Sequence, residues 1–393
     1  MLIAVVRRGD LDVYLYLIYY FLRRGGVRSA QAPETQKEHT MEIRITKTTQ
    51  PKSKPDPATL SFGTVFSDHM FLMEYDGAEG WHDARIVPYA PIPLAPAAAV
   101  FHYGAEVFEG LKAYRTAEGK IQMFRPMENL KRMSDSAERI TLPQFDQEFV
   151  LEAMRQLVEL DQDWVPNAPG TSLYIRPFLF ATDPDLSLHG ISHAVFCIIT
   201  SPVGSYYKEG INPVRIMIET EDVRAVRGGT GYAKCGGNYA AANRAGARAE
   251  KLGFSQVLWL DGVERKYIEE VGSMNVMFKI AGTVVTPKLT GSVLPGITRK
   301  SCIALLKEWG IPVEERLLSV DELVAAMRAG TLEEAFGCGT AAVVSPIGEL
   351  HYGDVSVTVN GGAVGPVTQR LYDEITGIQS GKIADTHGWI YRV

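Results

Sequence analysis

The chain has 393 residues, of which 46% are apolar and 22% charged, a composition within the ordinary range of globular proteins. Its 40 Lys and Arg against 46 Asp and Glu give a net charge of -6, so no basic excess indicates a nucleic-acid partner. The four cysteines lie far apart and form no C-x-x-C pair, which argues against a zinc ribbon or a disulfide framework. We therefore expect a globular protein of the reducing cytoplasm, without a metal, membrane or nucleic-acid partner.

The first forty residues differ in pattern from the rest. Residues 11–22 (LDVYLYLIYYFL) form an apolar run between two arginine pairs, too short for a bilayer span, which takes about 20 residues. A signal peptide is an alternative, but Asp10 and Asp12 and the missing small-x-small cleavage site oppose it. A membrane anchor at 11–22 is a further alternative for location. We expect residues 1–40 to be a dispensable extension that is either disordered or the product of an upstream start that is not used.

From Met41 onward, strand patterns alternate with helical ones. Apolar runs predict strands over 66–75 and 194–200, and apolar residues at helical spacing predict helices over 127–140 and 148–160. Pro, Gly and polar residues cluster over 201–213, as is typical of a linker between domains. The sequence thus predicts a mixed α/β fold with three parts, namely a small domain over 41–203, a linker over 204–213 and a large domain over 214–393.

The second half continues the alternation. Strands are predicted over 214–219 and 256–260, and a hairpin over 275–285. A helix is predicted over 297–309. The next helix begins at the capping box Ser319-x-x-Glu322 and ends at Gly330.

Several catalytic motifs are absent from the sequence, including HExxH, GxSxG and the Walker phosphate loop. Residues 337–342 (GCGTAA) match the G-x-G-x-x-A dinucleotide pattern. That pattern requires a strand before it and a helix after it. Here the helix-like 331–336 comes before and the β-branched pair Val343-Val344 comes after, so we expect no dinucleotide site.

Two glycine-containing segments are nevertheless candidate anion sites. In residues 337–342 the glycines allow backbone N–H groups to approach a ligand closely, and Thr340 adds a hydroxyl. Residues 294–298 (LPGIT) lead directly into a helix, whose first N–H groups attract phosphate. An ordinary Pro-Gly turn explains 294–298 equally well.

Lys234 lies in an unusual glycine-rich stretch, residues 227–243 (RGGTGYAKCGGNYAAAN). Small neighbours leave a lysine accessible to a bulky carbonyl compound, a condition for Schiff-base chemistry. A solvated lysine in a glycine-rich surface loop is the more common explanation of such a stretch taken alone.

The chain resembles the branched-chain amino acid aminotransferases in eight blocks, from about Ile43 to the C-terminus. They are FSDHM, FHYGAEVFEGLKAYR, SLYIRP, KCGGNY, QVLWLDG, EEVGSMN, LPGITR and FGCGTA, in that order. The resemblance implies the type IV fold of pyridoxal 5′-phosphate enzymes, with a smaller N-terminal and a larger C-terminal domain. It also implies a homodimer that transfers amino groups between Leu, Ile or Val and 2-oxoglutarate through a ping-pong cycle.

The resemblance also implies how the cofactor ring is held. Lys234 would bind the cofactor covalently and, once released, move the proton between the substrate Cα and the cofactor. Glu270 would face the pyridine nitrogen and keep it protonated, so that the ring can accept electrons. Tyr239 would hydrogen-bond the phenolic oxygen of the ring.

For the cofactor phosphate, the resemblance implies a cradle in which the two candidate anion sites converge. Arg132 would bind the phosphate through its planar fork. The backbone N–H groups of Ile297 and Thr298 and the side chain of Thr340 would complete the cradle.

For the substrate, the resemblance implies that Tyr103 of the partner subunit and the Ala341 N–H bind the α-carboxylate. Arg176 would accommodate the second carboxylate of glutamate. Lys112 lies close by without a definite role. The apolar pocket would be formed by Phe66, Phe108 and Tyr174.

Some alternatives remain at this point. The cysteine pair of the animal enzymes is replaced by Ala342 and Ser345, so we expect no regulatory disulfide of that kind. D-amino acid aminotransferase and aminodeoxychorismate lyase share the fold, although the blocks quoted above disfavour both. An alternative with a different kind of function is a non-catalytic protein that binds or carries pyridoxal 5′-phosphate.

Overall fold

The structure is a computed structural model that describes residues 41–204 and 211–393. The predicted extension, residues 1–40, and most of the predicted linker, residues 205–210, lie outside the described residues. Within the described ranges, no helix combines the length and apolar character needed to cross a bilayer.

Eighteen strands make up most of the described regular structure. They are β1 (Arg44–Ile45), β2 (His69–Asp76), β3 (Gly80–Pro88), β4 (Glu106–Phe108), β5 (Leu111–Arg115), β6 (Ile121–Phe124), β7 (Ser172–Ala181), β8 (His193–Val203), β9 (Val214–Ile218), β10 (Gln256–Leu260), β11 (Ile268–Val271), β12 (Met274–Ile280), β13 (Thr283–Pro287), β14 (Val313–Arg316), β15 (Leu332–Gly339), β16 (Val343–Tyr352), β17 (Val355–Thr358) and β18 (Ile390–Arg392).

Seven α-helices and three short 3₁₀ helices lie between the described strands. The α-helices are α1 (Ala99–Tyr103), α2 (Pro126–Arg139), α3 (Gln147–Leu160), α4 (Gly236–Lys251), α5 (Ile297–Glu308), α6 (Val320–Ala329) and α7 (Pro366–Ser380). The 3₁₀ helices cover Pro57–Thr59, Gln162–Trp164 and Val359–Gly362.

The strands form two nine-stranded sheets. The first has the order β1-β3-β2-β8-β7-β5-β6-β18, with β4 paired to β7. The second has the order β11-β10-β9-β16-β15-β12-β13-β14, with β17 on β16. Because β11 also pairs with β12, six strands of the second sheet close into a ring that leaves those strands no free edge.

Apolar side chains on the faces of the second sheet form two cores. One lies against helix α6 and includes Phe278, Leu323 and Met327. The other lies under α5 and α7 and includes Phe336 and Leu371, together with residues from β6 and from the segment before β18. Strand β18, close to the C-terminus, belongs to the first sheet, where it pairs with β6.

Most predicted elements are confirmed within a few residues. The helices predicted over 127–140, 148–160 and 297–309 correspond to α2, α3 and α5, and the predicted hairpin to β12 and β13. The Ser319 hydroxyl accepts a hydrogen bond from the Glu322 N–H at 3.1 Å, as the capping box predicts.

The helix-like assignment of residues 331–336 is wrong. Strand β15 (Leu332–Gly339) occupies these residues and pairs with both β12 and β16. The local helix preference of Leu, Glu and Ala is outweighed by ladder hydrogen bonds on both sides and by burial. The dinucleotide site remains excluded, because a second strand, β16, follows the glycines where a helix would be needed.

Candidate active site

Lys234 lies where the first sheet meets the start of helix α4. Its carbonyl oxygen accepts a hydrogen bond from the Phe108 N–H at 3.0 Å, and its own N–H donates to Ser136 Oγ at 2.9 Å. Val107 and Cys235 form an isolated antiparallel bridge beside it. Strand β4 and helix α2 therefore fix the backbone of the lysine immediately before α4 begins.

The side chain of Lys234 lies beside two aromatic rings. Its Nζ donates to the Tyr239 hydroxyl at 2.8 Å and lies 5.0 Å from the centroid of the Phe108 ring. The rings of Phe108 and Tyr239 are themselves 5.0 Å apart. Because Tyr239 belongs to the first turn of α4, the helix that follows Lys234 places the phenol beside the lysine amine.

Glu270 is the carboxylate of this site. It and Tyr239 line the same cavity, of about 450 Å³, together with Ser273 and Leu294. The Glu270 carboxylate accepts a hydrogen bond from the Leu294 N–H at 2.7 Å and lies 3.1 Å from Arg224 Nε. The cavity thus has a phenol and a carboxylate on its wall.

Burial raises the pKa of Glu270 above its ordinary value, while Arg224 and the Leu294 N–H act in the opposite direction. A buried carboxylate of this kind is suited to accept a hydrogen bond from a protonated ring nitrogen. Arg224 was missed by the sequence reasoning, since it lies in an irregular segment between β9 and α4 without a periodic pattern.

Arg132, on helix α2, is held by a buried ion pair. Its Nε donates to Glu109 Oε1 at 2.7 Å and its Nη2 to Glu109 Oε2 at 2.9 Å. Asn129 Nδ2 also donates to this carboxylate, at 2.8 Å. Burial alone would raise the pKa of Glu109, yet Arg132 and Asn129 hold it below its ordinary value.

The remaining nitrogen of Arg132 reaches the start of helix α5. Its Nη1 donates to the Pro295 carbonyl oxygen at 3.1 Å. Helix α5 begins at Ile297, with Gly296 as N-cap and no capping side chain. The first N–H groups of the helix, including those of Ile297 and Thr298, therefore lie beside a guanidinium and have no capping oxygen of their own.

Thr340 and Ala341 lie in the turn between β15 and β16. Strand β15 runs beside β12, so that Cys338 pairs with Asn275. Asn275 Nδ2 in turn donates to the Leu294 carbonyl oxygen at 2.9 Å, which ties β12 to the segment before α5. The two candidate anion segments of the sequence analysis are thus connected through Asn275.

Phe108, Tyr174 and Arg176 form an aromatic cluster around a guanidinium. The Arg176 guanidinium carbon lies 4.6 Å from the Phe108 ring centroid and 5.3 Å from that of Tyr174. Arg176 Nη2 also donates to the Tyr174 hydroxyl at 2.9 Å. Because the Phe108 ring also contacts the Lys234 amine, this cluster adjoins the lysine.

Two of the predicted substrate residues lie apart from this cluster in the single chain. Phe66 stacks on Tyr89, with centroids 5.1 Å apart, whereas Phe62 packs edge-on against Tyr174 at 4.8 Å. Tyr103 is 44% exposed, and its hydroxyl donates to the Leu186 carbonyl oxygen at 2.6 Å. Phe62 was missed because it precedes the first strand of the region in a segment without regular pattern.

Comparison with known proteins identifies the class to which this fold and site belong. The family model for amino-transferase class IV matches residues 106–350. A structure of a branched-chain amino acid aminotransferase from T.th. with pyridoxamine 5′-phosphate is 26% identical and has a TM-score of 0.68, over 82% of this chain and 97% of that one. A structure of the branched-chain aminotransferase from Thermoproteus uzoniensis with norvaline is 27% identical with a TM-score of 0.68, over 82% and 99% of the two chains.

The curated relatives are more similar in sequence. Branched-chain-amino-acid aminotransferase 2 of Bacillus subtilis is 57% identical over 351 residues, which cover 89% of this chain and 97% of the relative. The chain belongs to the class IV aminotransferases and, among them, to the branched-chain-amino-acid aminotransferase family. The family and the fold type predicted from the sequence are thereby confirmed, as is dependence on pyridoxal 5′-phosphate.

The residues at this site fit that cofactor. A helix start with no capping side chain beside Arg132 offers cationic and N–H donors to a phosphate. A lysine amine within 2.8 Å of a phenol suits an aldehyde next to a phenolic oxygen, and buried Glu270 suits a ring nitrogen. Each chemical group of the cofactor thus has a complementary group in this chain.

Glu109→Gln tests the ion pair beneath Arg132. Removing one charge of a buried pair leaves the other without compensation, so we expect the free energy of unfolding to fall by about 3–5 kcal/mol. Affinity for pyridoxal 5′-phosphate should fall as well, because Arg132 loses its bidentate support. Denaturant unfolding and cofactor titration measure the two effects.

The matched control for that change is Glu152→Gln, which breaks the exposed ion pair with Arg155. We expect it to cost at most about 1 kcal/mol. A Glu109→Gln enzyme as stable as the Glu152→Gln enzyme, with unchanged cofactor affinity, would contradict a supporting role for Glu109.

Gly110→Ala tests the close packing of the substrate side. A Cβ at Gly110 would overlap the hydroxyl of Tyr174, so the phenol must move and its hydrogen bond with Arg176 is lost. We expect KM to rise several-fold for glutamate and for leucine. Ser356→Ala, at an exposed serine of β17, is the control and should leave KM unchanged. Equal KM values for the two variants would show that Tyr174 does not contact the substrate.

Proposed function

We propose that this enzyme transfers the amino group of L-leucine, L-isoleucine or L-valine to 2-oxoglutarate, giving a branched-chain 2-oxo acid and L-glutamate, in a reversible ping-pong cycle. The observation that carries the proposal is the adjacency of Lys234 and Tyr239 to the aromatic cluster around Arg176. The names of the relatives support the same substrate class.

Pyridoxal 5′-phosphate, when bound, supplies an electron-accepting ring and a carbonyl group that exchanges with amines. We propose that Lys234 holds the cofactor in the resting enzyme and then carries the proton to and from the substrate Cα. Tyr239 binds the phenolic oxygen of the ring. Glu270, supported by Arg224 at 3.1 Å, holds the proton on the ring nitrogen.

The phosphate is proposed to lie at the start of α5. Arg132 and the N–H groups of Ile297 and Thr298 donate to it there, and Thr340 contributes its hydroxyl from the β15–β16 turn. The placement is supported by the contact between Arg132 and the Pro295 carbonyl and by the missing side-chain cap. Anions are stabilised at helix N-termini by free N–H groups and by the helix dipole.

The substrate side chain is proposed to lie against Phe108 and Tyr174, with Phe66 as a further wall, and the α-carboxylate on the Ala341 N–H. For glutamate, Arg176 turns its donors toward the second carboxylate. Charge-assisted hydrogen bonds from a guanidinium are strong enough to compensate for burial of that carboxylate.

We propose a homodimer in which Tyr103 binds the α-carboxylate in the partner's site. Tyr103 lies on an apolar surface that is unusually exposed for one chain: Phe101 is 61%, Leu186 61% and Leu188 83% exposed. Contiguous exposed apolar side chains are typical of a protein interface. In the dimer this surface is buried and Tyr103 faces the second active site.

The domain division and the location are also proposals. We propose a small domain over 41–203 and a large domain over 214–393. In support, all strands of the first sheet except β18 come from the first range, and all strands of the second sheet come from the second range. The cytoplasm is favoured by four cysteines without a disulfide.

The first experiment follows the visible absorbance of the cofactor in the loaded enzyme. We expect the band to bleach with L-leucine and to return with 2-oxoglutarate. Lys234→Ala should abolish both changes and lower turnover by at least about 100-fold, since it removes the acid–base group. Lys131→Ala, at an exposed lysine of α2, should behave as the wild type.

Other outcomes of that titration would contradict the proposal. A cofactor absorbance band that does not change with L-leucine would contradict the proposed substrate. Bleaching by D-leucine alone would favour a D-amino acid aminotransferase. Release of pyruvate from aminodeoxychorismate would favour the lyase. A protein that does not take up the cofactor would contradict the whole proposal.

A subunit-mixing experiment tests the role of Tyr103. Lys234→Ala and Tyr103→Ala enzymes should each be nearly inactive, but hybrids of the two contain one intact site. Random mixing in equal amounts should restore about a quarter of the wild-type sites. Lys234→Ala mixed with Glu270→Ala is the control and should restore none, because both residues belong to one chain's site. Hybrids that form without recovery would contradict the shared site.

A further inference from the structure

Lys112 connects the first sheet to the turn that carries Thr340 and Ala341. It lies on β5, and its Nζ donates to the Ala341 carbonyl oxygen at 2.8 Å. In the register of the first sheet it pairs with Tyr174, a member of the aromatic cluster. Because paired residues of neighbouring strands project from the same face, Lys112 lies on the side of the sheet that carries the substrate cluster.

The turn that Lys112 contacts has an unusual backbone. Residues 340–342 connect β15 to β16, and Gly339 pairs with Val343 across the hairpin. Val343 has a φ of 61°, in the left-handed region that β-branched residues rarely adopt. A turn held in such a conformation needs support from outside itself, and the hydrogen bond from Lys112 provides one contact.

The charge of Lys112 has no carboxylate partner among the ion pairs of residues 41–204 and 211–393. Burial lowers the pKa of Lys112 to about 8. A partly buried amine without a counter-charge is unfavourable by itself, and it becomes favourable when an anion binds nearby. Both proposed anions, the cofactor phosphate and the substrate α-carboxylate, bind at this turn.

We infer that Lys112 is the positioning residue of the α-carboxylate site: by donating to the Ala341 carbonyl oxygen it holds the turn of residues 340–342 in place, and with it the Ala341 N–H on the other side of that residue's Cα. The inference rests on the proposed function of Ala341. Since leucine and 2-oxoglutarate both carry a C1 carboxylate, Lys112 serves both half-reactions alike. In this it differs from Arg176, which serves only the second carboxylate of the dicarboxylic substrates.

The test uses the enzyme loaded with pyridoxal 5′-phosphate and the unreactive acid 4-methylpentanoate, whose dissociation constant is measured by calorimetry. We expect Lys112→Met to weaken binding by about tenfold or more, as for loss of a charge-assisted hydrogen bond. KM for leucine and for 2-oxoglutarate should rise by similar factors. Lys112→Arg should recover most of the affinity, and Lys120→Met, at an exposed lysine before β6, should match the wild type.

Arg176→Gln provides the contrast, because it should raise KM for 2-oxoglutarate much more than for leucine. A folded Lys112→Met enzyme with wild-type affinity for 4-methylpentanoate would overturn the inference, as would a rise in KM for only one of the two substrates. If the methionine variant does not fold, Lys112→Gln replaces it with the same criteria, since its shorter amide does not span the gap. A wild-type enzyme that binds cofactor but does not react with leucine would instead contradict the proposed function.

Discussion

The buried ion pair between Glu109 and Arg132 is the interaction on which the rest of the site depends. It lies between β4, helix α2 and the start of α5, three elements far apart in the sequence. Removing two charges from water is costly, and the cost is offset only by good geometry and further hydrogen bonds. Here the bidentate contact, Asn129 and the Gly110 N–H supply them. The pair thereby fixes the arginine that faces the helix start proposed to bind phosphate.

Local patterns in the sequence were sufficient for elements whose stability is local. Helices α2, α3 and α5 have apolar faces at helical spacing, and the hairpin β12–β13 has a turn at Ala281-Gly282. Strand β15 was predicted incorrectly, because its state is decided by pairing with β12 and β16 rather than by its own residues. Ladder partners distant in sequence leave no periodic signal within the segment itself.

The residues of the site also divide into those with a local sequence pattern and those whose role depends on distant partners. Lys234, Tyr239 and Glu270 lie in motifs, and the structure brings the first two within hydrogen-bond distance. Glu109, Arg224 and Phe62 act through residues far from them in the chain, so no local pattern could have assigned them. Glu109 had one detectable sign in the sequence, its position between the apolar residue Phe108 and the glycine Gly110.

The aromatic environment of Arg176 accounts for the proposal that one pocket receives both an apolar and a charged side chain. The guanidinium of Arg176 lies close to the rings of Phe108 and Tyr174, and one of its N–H groups donates to the Tyr174 hydroxyl. Arg176 Nε is buried and has no partner among the described residues. A glutamate carboxylate can supply that partner, whereas a leucine side chain can pack on the rings that already compensate for the positive charge. In this proposal the pocket needs no separate site for each substrate, because Arg176 keeps its contacts with the two rings when no substrate carboxylate is bound.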